Sequence, residues 1–126
     1  DSDVTEKTQC TPADFETIAA QSPVIGGFLN RATGFYFDFH ENKTGNRSCF
    51  MHDPSAVMAI TDPELFGFEN TPISVVCEGE EIGRTVTGAT GRRPVKVAMD
   101  VDSVAARRMF IEITGRADTA AKTRRT

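Results

Sequence analysis

Phe50-Met51-His52-Asp53-Pro54-Ser55-Ala56-Val57-Met58-Ala59-Ile60 runs from an apolar pair into an imidazole, a carboxylate and a proline, and then into an apolar stretch. An aspartate before a proline opens helices, because the carboxylate caps free N–H groups and proline suits the first turn. Asp53 therefore reads as an N-cap, and the apolar content of Val57, Met58 and Ile60 predicts a largely buried helix after it. Thr61-Asp62-Pro63-Glu64-Leu65-Phe66 repeats the cap-then-proline grammar and predicts a short helical turn. The His52–Asp53 pair also carries chemistry: an imidazole can protonate a leaving group, and a carboxylate offers hard oxygens to calcium or magnesium. Taken alone, the tripeptide reads first as a cap beside a loop histidine.

Upstream, Thr11-Pro12-Ala13-Asp14 has the form of a helix start, and that helix should reach about Gln21. Ser22-Pro23 starts a second one. Val24, Phe28, Leu29, Ala32, Phe35, Tyr36 and Phe39 recur mostly three and four apart, which predicts one long helix to about Glu41 with the phenylalanines in the core. Gly26 and Gly27 weaken it unless a tight helix contact requires them. His40 ends this stripe, and no metal-site spacing links it to His52. Val4 to Cys10 suggests a strand end, and Asn42 to Ser48 a polar loop.

Downstream the period changes. Thr71–Val76, Glu81–Thr87 and Arg93–Met99 read as strands separated by glycines and an Arg-Arg-Pro turn. Asp100-Val101-Asp102-Ser103 opens a last helix to about Thr114. Residues 116–126, mostly Ala, Thr, Lys and Arg, read as a frayed, disordered tail. Helices, then strands, then a helix suit the trailing end of an α/β domain or a small α+β unit.

The chain has 126 residues, 39% hydrophobic and 25% charged, with a net charge of −4. This is a one-domain globular composition. The acidic balance argues against nucleic acid and anionic membranes as partners, and no apolar run is long enough for a membrane span. Asp1 to Lys7 lacks the basic and apolar regions of a signal peptide, and no initiator Met precedes it, so processing or excision from something longer is expected. The three cysteines, Cys10, Cys49 and Cys77, form no C-x-x-C pair and suggest reduced thiols in a reducing, cytoplasmic compartment.

The stretch from Phe50 to Phe66 resembles the C-terminal signature of the inosine-uridine-preferring nucleoside hydrolase family, roughly H-D-P-x-A-V-x-x-x-x-D-P-x-L-F. The likeness extends in order from residue 3 to 115. Asp3-Val4-Thr5 resembles the family's D-V-T strand end, Thr11-Pro12-Ala13-Asp14 its T-P-x-D helix start, and Phe35-Tyr36-Phe37-Asp38-Phe39-His40 its F-Y-x-x-F-H helix. The Glu78/Glu80 region, Gly83-Arg84-Thr85-Val86 and the segment Val95 to Asp102 resemble its closing strands and last helix.

The resemblance implies the C-terminal part of an open, mostly parallel α/β sheet over residues 1–115. It implies hydrolysis of the N-glycosidic bond of ribonucleosides to ribose and free base, in nucleoside salvage, with calcium as cofactor and a homo-oligomer as the full-length form. It makes His52 the leaving-group acid, Asp53 a calcium ligand, and Tyr36 and His40 substrate contacts. The family's D-x-D-x-x-x-D-D motif is absent, so this chain alone is expected to be inactive. Some members place a tyrosine ahead of the histidine in a proton relay, where this chain has Thr44. The alternative reading is a non-catalytic remnant used for binding or assembly.

Overall fold

A computed structural model of the chain describes residues 2–123. Helix α1 (Ser2–Thr5) and strand β1 (Gln9–Cys10) lead into α2 (Pro12–Gln21), α3 (Ile25–Ala32) and α4 (Gly34–Thr44). Strand β2 (Cys49–Phe50) feeds α5 (His52–Thr61) and a 3-10 turn (Pro63–Leu65). Strands β3 (Phe66–Thr71), β4 (Ile73–Val75), β5 (Thr85–Thr87) and β6 (Val95–Val101) follow, and α6 (Ser103–Gly115) and α7 (Ala117–Thr123) close the chain.

The local grammar explains most boundaries. The Thr11 N–H donates to Asp14 Oδ2 at 2.8 Å, and Pro12 occupies the first turn of α2. The Ala105 N–H donates to Asp102 Oδ1 at 3.0 Å, starting α6 where the Asp-Ser pair places it. Gly26 is required by packing: a Cβ there would lie 2.6 Å from the Ile18 carbonyl oxygen, so α3 crosses α2 at backbone contact.

The long helix expected from Ser22 to Glu41 is two helices. Thr33 turns its hydroxyl back onto the Leu29 carbonyl at 2.9 Å, and Gly34 follows. Back-bonding by a β-branched hydroxyl bends a helix, and glycine lowers the cost of leaving it. The break rotates the apolar stripe off the core. Phe28, Phe35 and Phe39 are exposed, and Phe37 enters the core in their place. A similar correction applies to α5, where Met58 is buried while Val57 and Ile60 face outward.

Two apolar clusters hold the molecule together. One joins Cys10, Phe15, Ile18, Phe37, Cys49 and Met51, with Phe15 edge-on to Phe37 at 5.6 Å between centroids. The other joins Val4, Met58, Phe66, Val101 and Ala106. Burying a side chain of the Phe or Ile kind contributes about 1.5–3 kcal/mol.

Every strand pair formed among the described residues is antiparallel: β1 with β2, β3 with β6, and β4 with β5. The mostly parallel sheet implied by the resemblance is therefore not formed by these residues among themselves. Asp3-Val4-Thr5, expected as a strand end, lies in α1. Residues 117–123, expected in a frayed tail, form α7, and residues 124–126 lie outside the described residues. The carboxylate of Asp118 explains this order. It accepts the Val24 and Ile25 N–H groups at 2.8 and 2.9 Å, putting negative charge at the positive end of α3.

Candidate active-site cleft

Helix α5 begins two residues earlier than the Asp-Pro pair suggests. Met51 is its N-cap, His52 its first residue, and Asp53 lies in the first turn without capping the helix. The start is pinned from two sides. The Met51 N–H donates to the Thr8 carbonyl at 3.0 Å, and the Ser55 N–H donates to the Met51 carbonyl at 2.9 Å. Relieved of capping, the exposed Asp53 carboxylate has no hydrogen-bonding partner among the described residues. It stands at the end of the helix dipole that favours negative charge.

His52 is half-buried, and its Nδ1 lies 2.5 Å from the Thr5 hydroxyl. Its ring sits beside Phe50, 5.6 Å between centroids and 59° between planes. Phe50 meets His40 edge-on at 4.6 Å, and His40 meets Tyr36 edge-on at 4.6 Å. Four rings from α4, β2 and α5 thus form a continuous file.

A cleft of about 460 Å³ opens on this file, with Phe15, Tyr36, Phe50, His52, Asp53 and Phe110 among its walls. Aromatic faces with a few polar groups at one end suit a flat heterocycle. The structure brings His52, Asp53 and Tyr36 together on this cleft. His40 is only 6% exposed and stands behind Tyr36 and Phe50, off the cleft wall. Burial, with smaller contributions from the neighbouring Cys49 and Asp53, pushes the Tyr36 hydroxyl above its usual range, so it is an O–H donor at neutral pH. Thr44 donates to the His40 carbonyl at 2.9 Å, so its hydroxyl is committed to the backbone of α4. A second hollow, about 250 Å³ between Val24, Ile25, Asp118 and Lys122, contains a carboxylate already engaged in capping α3.

Among the described residues, no three His, Cys, Asp or Glu side chains gather as a metal site. Asp53 alone provides at most two of the about 6–8 oxygens calcium takes. Calcium does not fit these residues by themselves.

Some of the cleft lies outside what the motifs marked. Phe15 and Phe110 come from α2 and α6, and their apolar character signals core without saying which cavity they wall. Thr5 lies 47 residues from His52. It was within the D-V-T segment, but no spacing rule links it to the histidine.

The fold is that of a nucleoside hydrolase. A plant nucleoside hydrolase superposes with a TM-score of 0.85 over 90% of this chain and 39% of its own, at 24% identity. A purine-preferring ribonucleoside hydrolase from Gardnerella vaginalis superposes with a TM-score of 0.80 over 93% of this chain and 39% of its own, at 29% identity. The pyrimidine-specific ribonucleoside hydrolase RihA of Klebsiella pneumoniae is 29% identical over 117 residues, 88% of this chain and 36% of the relative. The model of the inosine-uridine preferring nucleoside hydrolase family matches residues 1–108, and the chain belongs to that family. It spans roughly a third of the length of the relatives it matches, 36% of the Klebsiella protein and 26% of a probable uridine nucleosidase of rice. No helix among the described residues is long and apolar enough to cross a membrane.

Proposed function

We propose that residues 1–115 are the C-terminal portion of a calcium-dependent ribonucleoside N-ribohydrolase, and that this portion supplies the leaving-group side of the active site. The observation that carries the reading is His52 and Asp53 side by side at the start of α5, on an aromatic-walled cleft, in a chain of this family.

In this reading the nucleobase lies in the cleft. As the bond between C1′ and the base nitrogen breaks, its electron pair stays with the base, and His52 delivers a proton to it. Charge developing on the sugar is that of an oxocarbenium ion, and a water oxygen adds to C1′. The water's proton passes to a base outside these residues. Tyr36 donates its O–H to the bound base, and His40 acts through Tyr36, as the ring against which that side chain rests. Asp53 is one calcium ligand, whose companion oxygens also lie outside these residues. The substrate partner is a ribonucleoside, in a cytoplasmic homo-oligomer.

A second reading is a binding or assembly remnant of the same fold, in keeping with the lack of a metal-donor cluster among the described residues. The two separate experimentally. The chain alone, assayed for base release from inosine and uridine with calcium, should show no enzymatic turnover. Fused in place of the matching segment of the Gardnerella vaginalis relative, it should restore calcium-dependent release. His52→Ala should then lower the rate by about 100-fold or more, the usual scale of a proton-transfer group. Full turnover by the chain alone overturns its incompleteness. A fusion indifferent to both His52→Ala and Asp53→Ala overturns the assigned roles.

A further inference from the structure

We propose that Thr5 is a positioning residue for His52: its hydroxyl holds the ring by Nδ1 and leaves Nε2 as the nitrogen that meets the substrate. The inference rests on the reading of His52 as leaving-group acid, and it explains a residue that the hydrolase reading leaves without a task.

The contact joins two elements far apart in sequence and close in space. Thr5 Oγ1 and His52 Nδ1 are 2.5 Å apart across 47 residues. Both partners are set on one framework. Val4, the neighbour of Thr5, is buried in the same cluster as Met58 of α5. The Thr8 N–H donates to the Thr5 carbonyl at 3.1 Å, while the Thr8 carbonyl accepts the Met51 N–H at 3.0 Å. Thr5 and His52 are thus held close by apolar packing and by a backbone route through Thr8, before their side chains meet. On its other side the ring rests against Phe50. No other nitrogen contact of His52 exists among the described residues, so Nε2 remains available on the cleft.

The chemistry of the partner matters. A carboxylate behind an imidazole fixes its direction and also adds charge that holds its proton more tightly. A hydroxyl both donates and accepts, so it can stay bonded to Nδ1 whichever way the proton lies. Thr5 therefore fixes direction without adding a charge. Without it, rotation about the last side-chain bond exchanges Nδ1 with Cδ2 and swings Nε2 away from the leaving base. Misplacement on that scale is costly to proton transfer.

The test uses the 126-residue chain labelled with ¹⁵N at its two histidines. Ring spectra are recorded at one pH where imidazole is neutral, with His52→Gln assigning the signals. Wild type and Thr5→Ser should show a hydrogen-bonded Nδ1 and one ring conformer. Thr5→Val, the same shape without the hydroxyl, should shift Nδ1 toward its unbonded position and average the ring conformers. A wild-type Nδ1 already at the unbonded position overturns the proposal and needs no variant to fold. So does Thr5→Ser behaving as Thr5→Val, or Thr5→Val keeping the wild-type ring signals. The spectra involve no substrate. If the hydrolase reading fails, through a fusion that ignores His52→Ala, the spectra are unaffected, and the two failures are told apart.

Discussion

The chain divides into two regions of opposite character. Among the described residues, 3–66 and 101–115 contain all the buried apolar side chains, from Val4 through Phe66 and again at Val101 and Ala106. Residues 67–100 contain none, although β3 to β6 all run through them. Val75, Val86, Val95 and Met99 stay exposed there, and Gly79, Gly83, Gly88 and Gly91 all take positive φ. One region is held by side-chain packing, the other mainly by backbone ladders and turns, with Phe68 and Ala98 resting its base on the second cluster. The cleft with His52, Asp53 and Tyr36 sits wholly on the first. A site that directs a proton must hold its ring within a fraction of an ångström, and packed side chains give that precision where an unpacked ribbon does not.

The sharpest way to break this comparison is to cut one apolar side chain back to alanine in each region. Phe15 is 3% exposed and faces both Phe37 and Phe110. Phe15→Ala should cost about 3–5 kcal/mol, because the lost transfer energy is joined by a cavity that helices cannot close. Val86→Ala, on the outer face of β5, should stay within about 0.5 kcal/mol of wild type. Urea unfolding of both variants measures the difference. Similar losses would mean the ribbon carries a core of its own.

The same division explains what was legible in the residues. Capping grammar placed α2 and α6 well, since Thr11, Asp14 and Asp102 act within one turn of themselves. Periodicity failed where a local side-chain bond competed with the helix, at Thr33, and the facing of Phe28, Phe35 and Phe39 went with it. His52, Asp53 and Tyr36 were marked through a resemblance, and the structure sets them on one cleft. Thr5 and Phe110 were not marked, because their relation to the site exists only after long-range packing. The antiparallel pairing of β3 with β6 was equally hidden, since alternation gives a face and not a partner.

A middle-sized effect separates the regions by charge. Asp14 is 8% exposed and takes both Nε and Nη2 of Arg107, at 3.0 and 2.7 Å, tying α2 to α6 behind the cleft. Burial alone would raise its pKa. The Arg107 hydrogen bonds and the Thr11 N–H outweigh burial and hold the carboxyl below its usual value. A depressed folded-state pKa contributes stability that is present above the unfolded value, about 4, and lost as pH falls through the folded one. Wild type should therefore lose stability below about pH 4 more steeply than Asp14→Asn, followed by urea midpoints across that window. At neutral pH Arg107→Ala should cost about 1–3 kcal/mol by leaving a buried carboxylate partly unpaired. Arg84→Ala, which frees Glu81 on the exposed ribbon, should cost at most about 0.5 kcal/mol. A flat acid profile in wild type would remove the ion pair from the account of how the helices are joined.

The smallest effect sharpens the comparison from inside the packed region. Ser55 is 1% exposed in α5, one turn beyond His52, and its hydroxyl has no hydrogen-bonding partner among the described residues. A buried hydroxyl without a partner has given up water for nothing, and serine is a poorer helix former than alanine. Ser55→Ala should therefore stabilise the chain by about 0.5–1 kcal/mol, read as a rise in the urea midpoint with an unchanged slope. The packed region would then contain a small local conflict beside its most functional residues. If Ser55→Ala instead destabilised by more than about 1 kcal/mol, the hydroxyl would have to be bonded in the folded chain, and the start of α5 would be free of that conflict.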